Sequence, residues 1–153
     1  MKAFVDTSAL YALMIPEDTH HGAAQACFEE LRLTEVSLVS TNYVLLECAA
    51  LMQRRQGLEA ARAFLSQAAT LLDIVWVGRA HHEHAVTLWS KSNRRALSLV
   101  DCVSFSVMRD QGLRHVVAFD PHFHEAGFEV LPGADRVADR RGVYRAVRLH
   151  RKS

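Results

Sequence analysis

Nowhere among the 153 residues is there an uncharged apolar run approaching the roughly 18 residues that a membrane-spanning helix needs. The opening "MKAFVD" meets an acid after about three apolar residues, too few for the core of a secretory signal. Cysteine is scarce: Cys27, Cys48 and Cys102 lie far apart, are odd in number and form no C-x-x-C pair. They read as small buried thiols on helices, which fits a reducing compartment. The expected location is therefore cytoplasmic, with no membrane contact. Internal repeats and low-complexity segments are also missing. Half of the residues are hydrophobic, which excludes a disordered chain, and the length suits one domain with a real core.

Charge of one sign is short in one half of the balance. The net charge is +1, but residues 135–153 carry seven Lys/Arg against two Asp, a net of +5. The first 134 residues carry 11 Lys/Arg against 15 Asp/Glu, a net of −4. The expected organisation is an acidic domain over 1–134 and a basic extension over 135–153. Arg136, Arg140, Arg141, Arg145, Arg148 and Arg151 sit in that extension, which either meets an anionic partner or is simply a solvated tail.

What is present is a regular alternation. Short apolar or β-branched runs recur at 2–6, 36–40, 71–77, 115–120 and 128–131. The first four are almost continuously apolar, as in strands covered on both faces. Between them lie segments with helical spacing at 18–33, 42–55, 58–71, 80–91 and 99–112. Ala24, Cys27, Phe28 and Leu31 share one face of the first. Gly57 marks a helix stop or start, and Gly112 a C-terminal stop. Alternating strands and helices imply an α/β fold with a mainly parallel sheet and right-handed crossovers. Sites in such sheets form at the carboxyl ends of the strands, where strand order reverses.

Four acids converge there. Asp6 ends the first strand and Asp120 the fourth. Glu47 lies in the second turn of the helix leaving the second strand. Asp101 lies at the start of the helix preceding the fourth strand, and such a helix begins at the carboxyl edge. Each acid also has a purely structural reading. Asp6 suits an N-cap for a helix starting near Ser8. Ser98 and Asp101 match a reciprocal capping box. Asp120-Pro121 reads as an N-cap followed by proline at the first helical position. Glu47, inside "YVLLECAALM", either sits on a polar stripe or is a costly buried carboxylate.

Order and context together match a known pattern. "FVDTSAL", "NYVLLE", "LSLVDCVSFSVM" and "VVAFDPHF" resemble the PIN-domain family, most closely the VapC-type toxins of bacterial toxin–antitoxin pairs, from Met1 to about Leu131. The resemblance implies a three-layer α/β/α fold with strand order 3-2-1-4-5. It implies metal-dependent endoribonuclease activity, with Asp6, Glu47, Asp101 and Asp120 as the metal-binding and catalytic acids. Thr7 or Ser8 would be the hydroxyl beside the first acid, and Ser98 the one before the third. A VapB-like antitoxin and RNA are the implied partners, with a homodimer a further option.

The chemistry agrees. Carboxylates crowded on one rim repel each other unless a cation joins them. An oxygen-only ligand set suits a hard divalent ion, Mg²⁺ or Mn²⁺, singly or as a pair. Asp6, Asp101 and Asp120 are the first choices as ligands, and Glu47 serves a second ion or orients the attacking water. Thr7 and Ser98 would orient the carboxylates by hydrogen bonds. Arg94 and Arg95, just before the Ser98 helix, offer phosphate contacts or are an ordinary exposed loop.

Other readings are weaker. "HHEH" at 81–84 with "HFH" at 122–124 raises a zinc site, but the H-E-x-x-H spacing is missing. His122 follows Asp120 closely and is assigned no role. Trp76 and Trp89 are expected in the core or an interface rather than as base-stacking surfaces. A haloacid-dehalogenase-type phosphatase needs an Asp where Ser8 stands. A phospho-receiver needs an acid where Val5 stands and a Lys in the stretch between Lys91 and Lys152, which has none. A catalytically inert RNA- or protein-binding module has no need of four repelling acids.

Overall fold

The computed structural model describes residues 1–133. The elements run β1 (Lys2–Val5), α1 (Thr7–Met14), α2 (His21–Leu33), β2 (Ser37–Thr41), α3 (Asn42–Gln56), α4 (Leu58–Leu71), β3 (Asp73–Val75), α5 (Arg79–Lys91), α6 (Leu99–Asp110), β4 (His115–Val117), α7 (Pro121–Glu125) and β5 (Glu129–Leu131). Five parallel strands form one sheet in the order β3-β2-β1-β4-β5, flanked by helices in a three-layer α/β/α arrangement. The expected fold class and strand order are both observed. The boundary at residue 134 and the basic extension lie outside the described residues.

The central strands are apolar because both of their faces are covered. Ala3, Phe4 and Val5 of β1 and Val116 and Val117 of β4 have no exposed surface. Strand order reverses at β1, which pairs with β2 on one side and β4 on the other, Phe4 lying opposite both Val39 and Val116. The crevice at the carboxyl ends of β1 and β4 is thus the switch point of the sheet. Asp6 leads out of one of these strands and Asp120 follows the other.

Helix boundaries follow local chemistry. α2 starts three residues later than its apolar spacing suggests, because Asp18 Oδ1 accepts the His20 N–H (2.8 Å) and holds a turn ahead of the helix. Thr41 caps α3 by accepting the Val44 N–H (3.1 Å). Gly57, at φ +98°, both ends α3 and starts α4. Gly112, at φ +64°, closes α6, and the Leu113 N–H reaches back to Met108 O (2.8 Å). Ala24, Cys27, Phe28 and Leu31 form the buried face of α2, and all three cysteines are buried.

One strand departs from expectation. The apolar run 71–77 yields only β3, an edge strand of three residues that is half covered. Its successor Trp76 is 75% exposed, and Trp89 on α5 is exposed too, so neither belongs to the core. An edge strand has only one neighbouring strand, and the bulky residue that follows it here meets solvent.

The β5 side is closed by aromatic packing. Phe123 of α7 is fully buried, edge-on to Phe105 of α6 (centroids 5.1 Å, 87°) and tilted against Phe128 (6.4 Å). Replacing Phe123 by Ala should cost about 3–5 kcal/mol of stability, as for other large-to-small changes in packed cores. Urea unfolding followed by circular dichroism measures it; a loss under about 1 kcal/mol would mean that this cluster is not a packed core.

Candidate active site

Four helices, α1, α3, α6 and α7, begin at the carboxyl edge of the sheet, and each brings an acid to it. Asp6 is the N-cap of α1. Its Oδ2 accepts both the Ser8 N–H (3.1 Å) and the Ser8 hydroxyl (2.7 Å). Asp101 is the third residue of α6 and closes a capping box: its Oδ2 accepts the Ser98 N–H (3.0 Å), and its own N–H donates to Ser98 Oγ (3.0 Å). Asp120 is the N-cap of α7, where Oδ1 accepts the His122 N–H (2.9 Å) and Pro121 takes the first helical position. Each local structural reading of these three acids is therefore correct. Each cap engages one carboxylate oxygen, and among the described residues no hydrogen bond engages Asp6 Oδ1, Asp101 Oδ1 or Asp120 Oδ2. Glu47, in the second turn of α3, is half-buried.

Burial and mutual repulsion govern the electrostatics. Asp6 is 3% exposed, and desolvation pushes its pKa up to about 7; the two Ser8 hydrogen bonds oppose the rise, and the charges of Asp101 and Asp120 add to it. Burial likewise raises Glu47, with Thr7 drawing it down and Asp101 and Asp120 pushing it up. Asp101 is raised by burial and by Asp120, against its bonds with Ser98 and the nearby His122. Asp6, Glu47 and Asp101 thus all sense the charge of Asp120 across the rim, and Asp6 and Glu47 that of Asp101 as well. Cys48 lies beside Asp6 and Glu47, and burial first and these charges second push its thiol up to about 12.

The tightest group holds a residue to which the sequence assigned no role. One donor atom each from Asp101, Asp120 and His122 lie within 4.8 Å of one another. His122 Nδ1 is 2.7 Å from Asp120 Oδ1 and 3.8 Å from Asp101 Oδ2, yet it is buried and makes no aligned hydrogen bond. The signal in "FDPHF" was its position: the second residue of a capped helix can fold its side chain back over the cap. The hydroxyls also sort themselves. Ser8, not Thr7, holds Asp6. The Thr7 hydroxyl is buried and has no partner in good hydrogen-bond geometry, although it is close enough to Glu47 to lower that acid's pKa.

The flanking cations are placed less tightly. Arg94 forms an ion pair with Glu125 at the end of α7, both about half-exposed, while Arg95 is exposed. Of the histidines weighed for zinc, His122 joins the acids at the rim, whereas His81 on α5 faces Asp110 (3.3 Å) and His82 Nδ1 faces the Tyr43 hydroxyl (2.5 Å). Among the described residues no cluster with ligand spacing includes either.

A parallel sheet in this order, with acids gathered at its switch point, defines a PIN-domain protein. The family profile for the PIN domain matches residues 3–129, and the chain belongs to that family. It is 35% identical over 131 residues to the 23S rRNA-specific endonuclease VapC20 of Mycobacterium tuberculosis, covering 84% of this chain and 98% of the relative. The crystal structure of that VapC20, a sarcin–ricin loop cleaving toxin, superposes with a TM-score of 0.73 at 34% identity, over 82% of this chain and 95% of the other. VapBC2 of Rickettsia felis, bound to promoter DNA, shares the fold at 14% identity (TM-score 0.63, 85% and 97% covered).

The raised acids predict an unusual pH profile for metal-free protein. The folded state keeps a proton on Asp6 between its ordinary pKa of 3.8 and about 7, where the unfolded chain has released it. Unfolding free energy should therefore fall as pH rises through that window. Asp6→Asn should flatten the fall and leave the EDTA-treated variant more stable than wild type at pH 8. Urea titrations in EDTA at pH 5 and pH 8 decide it; equal slopes for both proteins would show that Asp6 is not the responsible group.

Proposed function

We propose that this chain is a divalent-metal-dependent endoribonuclease that hydrolyses RNA phosphodiester bonds and acts as the toxin of a VapBC-type toxin–antitoxin pair. The observation that carries the reading is the convergence of Asp6, Glu47, Asp101 and Asp120 on the switch-point rim from four distant places in sequence. Likeness to an rRNA endonuclease along nearly all of that relative supports it.

The rim fits a hard divalent cation. Three caps orient the Asp carboxylates and leave one oxygen of each open, and two polar groups there, Thr7 Oγ1 and His122 Nδ1, are buried without an aligned partner. Buried acids that resist ionising alone gain most from a cation. Asp6, Asp101 and Asp120 would hold Mg²⁺ or Mn²⁺, with Glu47 beside them. When bound, such an ion supplies an activated water and stabilises negative charge on the scissile phosphate. The residues themselves do the rest. Ser8 and Ser98 keep the carboxylates of Asp6 and Asp101 from rotating. Glu47, half-buried in the second turn of α3, would serve a second ion or orient the attacking water. Arg95, and Arg94 once released from Glu125, would draw in the RNA backbone.

The target class follows from the relative. A loop of 23S rRNA is the first substrate to test, because the relative is a sarcin–ricin loop cleaving toxin. An antitoxin would silence the rim with a cationic side chain, the group that an unliganded acidic cluster attracts most strongly. Among the described residues no helix is long and apolar enough to cross a membrane, consistent with action on RNA in the cytoplasm.

Incubating the protein with total RNA and with a sarcin–ricin stem-loop tests the reading, in Mg²⁺, in Mn²⁺ and in EDTA. Discrete fragments should form only with metal and be lost in Asp6→Asn and Asp101→Asn. Cleavage that persists in both variants would rule out the rim as the active site. Ser8→Ala should retain the fold and lower metal affinity or activity about 10- to 100-fold, as removing an outer partner of a ligand does. Titration calorimetry with Mn²⁺ measures the affinity; wild-type binding and rate would remove Ser8 from the mechanism.

A further inference from the structure

Beside the acidic rim, on the β5 side, lies an open cavity of about 470 Å³, within the range of small-molecule pockets. Phe119, Asp120, Pro121, His124, Val130 and Pro132 are among the residues that line it. Asp120 therefore belongs both to this cavity and to the rim. The walls are mainly apolar and, among the described residues, hold no Lys or Arg, so the cavity suits a flat uncharged ring better than a phosphate.

Phe119 is already used as a stacking surface. The His20 ring lies parallel to it, centroids 4.4 Å apart and 9° between planes. His20 covers one face of the Phe119 ring and is not among the residues that line the cavity. Phe119 is also tied to the rim through the backbone. Its N–H donates to Ser8 Oγ (2.9 Å), and the same hydroxyl donates to Asp6 Oδ2 (2.7 Å). One serine thus sets the position of the aromatic residue and of the first acid together. A ring stacked on Phe119 would be held at a fixed offset from a phosphate at the rim.

We propose that this cavity is a nucleobase subsite, in which an unpaired base next to the scissile phosphate stacks on Phe119. The inference rests on the ribonuclease reading and adds the part of RNA that the acids cannot recognise. Acids and a cation engage phosphate, which every nucleotide has, whereas a base needs a flat apolar surface. The stack accepts any base, and it selects for unpaired nucleotides because a paired base cannot enter a cavity.

The test uses the full chain and a sarcin–ricin stem-loop carrying 2-aminopurine at single loop positions. Binding is measured in an Asp101→Asn background, so that the RNA stays intact. Stacking should quench the 2-aminopurine emission at one position. Phe119→Leu, which keeps apolar bulk but no aromatic face, should abolish that quenching and weaken binding about ten-fold or more. Phe119→Trp should restore both, and its added indole emission should fall on RNA binding. In the otherwise wild-type enzyme, Phe119→Leu should raise KM with little change in kcat. Unaltered quenching and affinity in Phe119→Leu would overturn the subsite, as would a Phe119→Trp variant that folds but rescues neither. Metal-dependent cleavage by the wild-type protein in the same experiment separates the two readings. With cleavage present and Phe119→Leu silent, only the subsite falls; with no cleavage of any RNA, both fall.

Discussion

Everything at the functional edge depends on holding several carboxylates together out of water. Left alone, such a group would disperse or protonate, and Asp6 goes far in the second direction. The fold resists dispersal by giving three of the acids a structural task. Asp6 starts α1, Asp101 closes the capping box of α6, and Asp120 starts α7. Moving any one of them would cost a helix cap, about 1 kcal/mol or more. The helix N-termini also turn their partial positive charge toward the acids, which offsets part of the repulsion.

This double use explains why structural and functional readings of the same residues do not compete. A cap takes one carboxylate oxygen and fixes the torsions of the side chain. The other oxygen is left without a hydrogen bond among the described residues, on a side chain whose rotation the cap restricts. Pre-orientation of this kind lowers the entropic cost of gathering ligands around a cation. Ser8 extends the economy, since one hydroxyl restrains Asp6 and the backbone of Phe119 at once. The least constrained acid is Glu47, which caps nothing, has a longer side chain and stands in the second turn of α3.

The chain by itself determined the element order, the sheet class and the identity of the four acids, because those signals are local. A strand run, a helical stripe, an S-x-x-D box or a D-P step is complete within a few residues. Comparison with a known family pattern extended this to strand order. Tertiary structure alone decided the remainder. Nothing near Phe119 in sequence reveals that its N–H meets Ser8, 111 positions away. His122 entered the acidic trio because Asp101 arrives from another helix. Arg94 found Glu125, and Trp76 met solvent because its strand became the sheet edge. Such outcomes depend on which elements pack side by side, and distant packing leaves no mark on the short windows from which periodicity and capping are read.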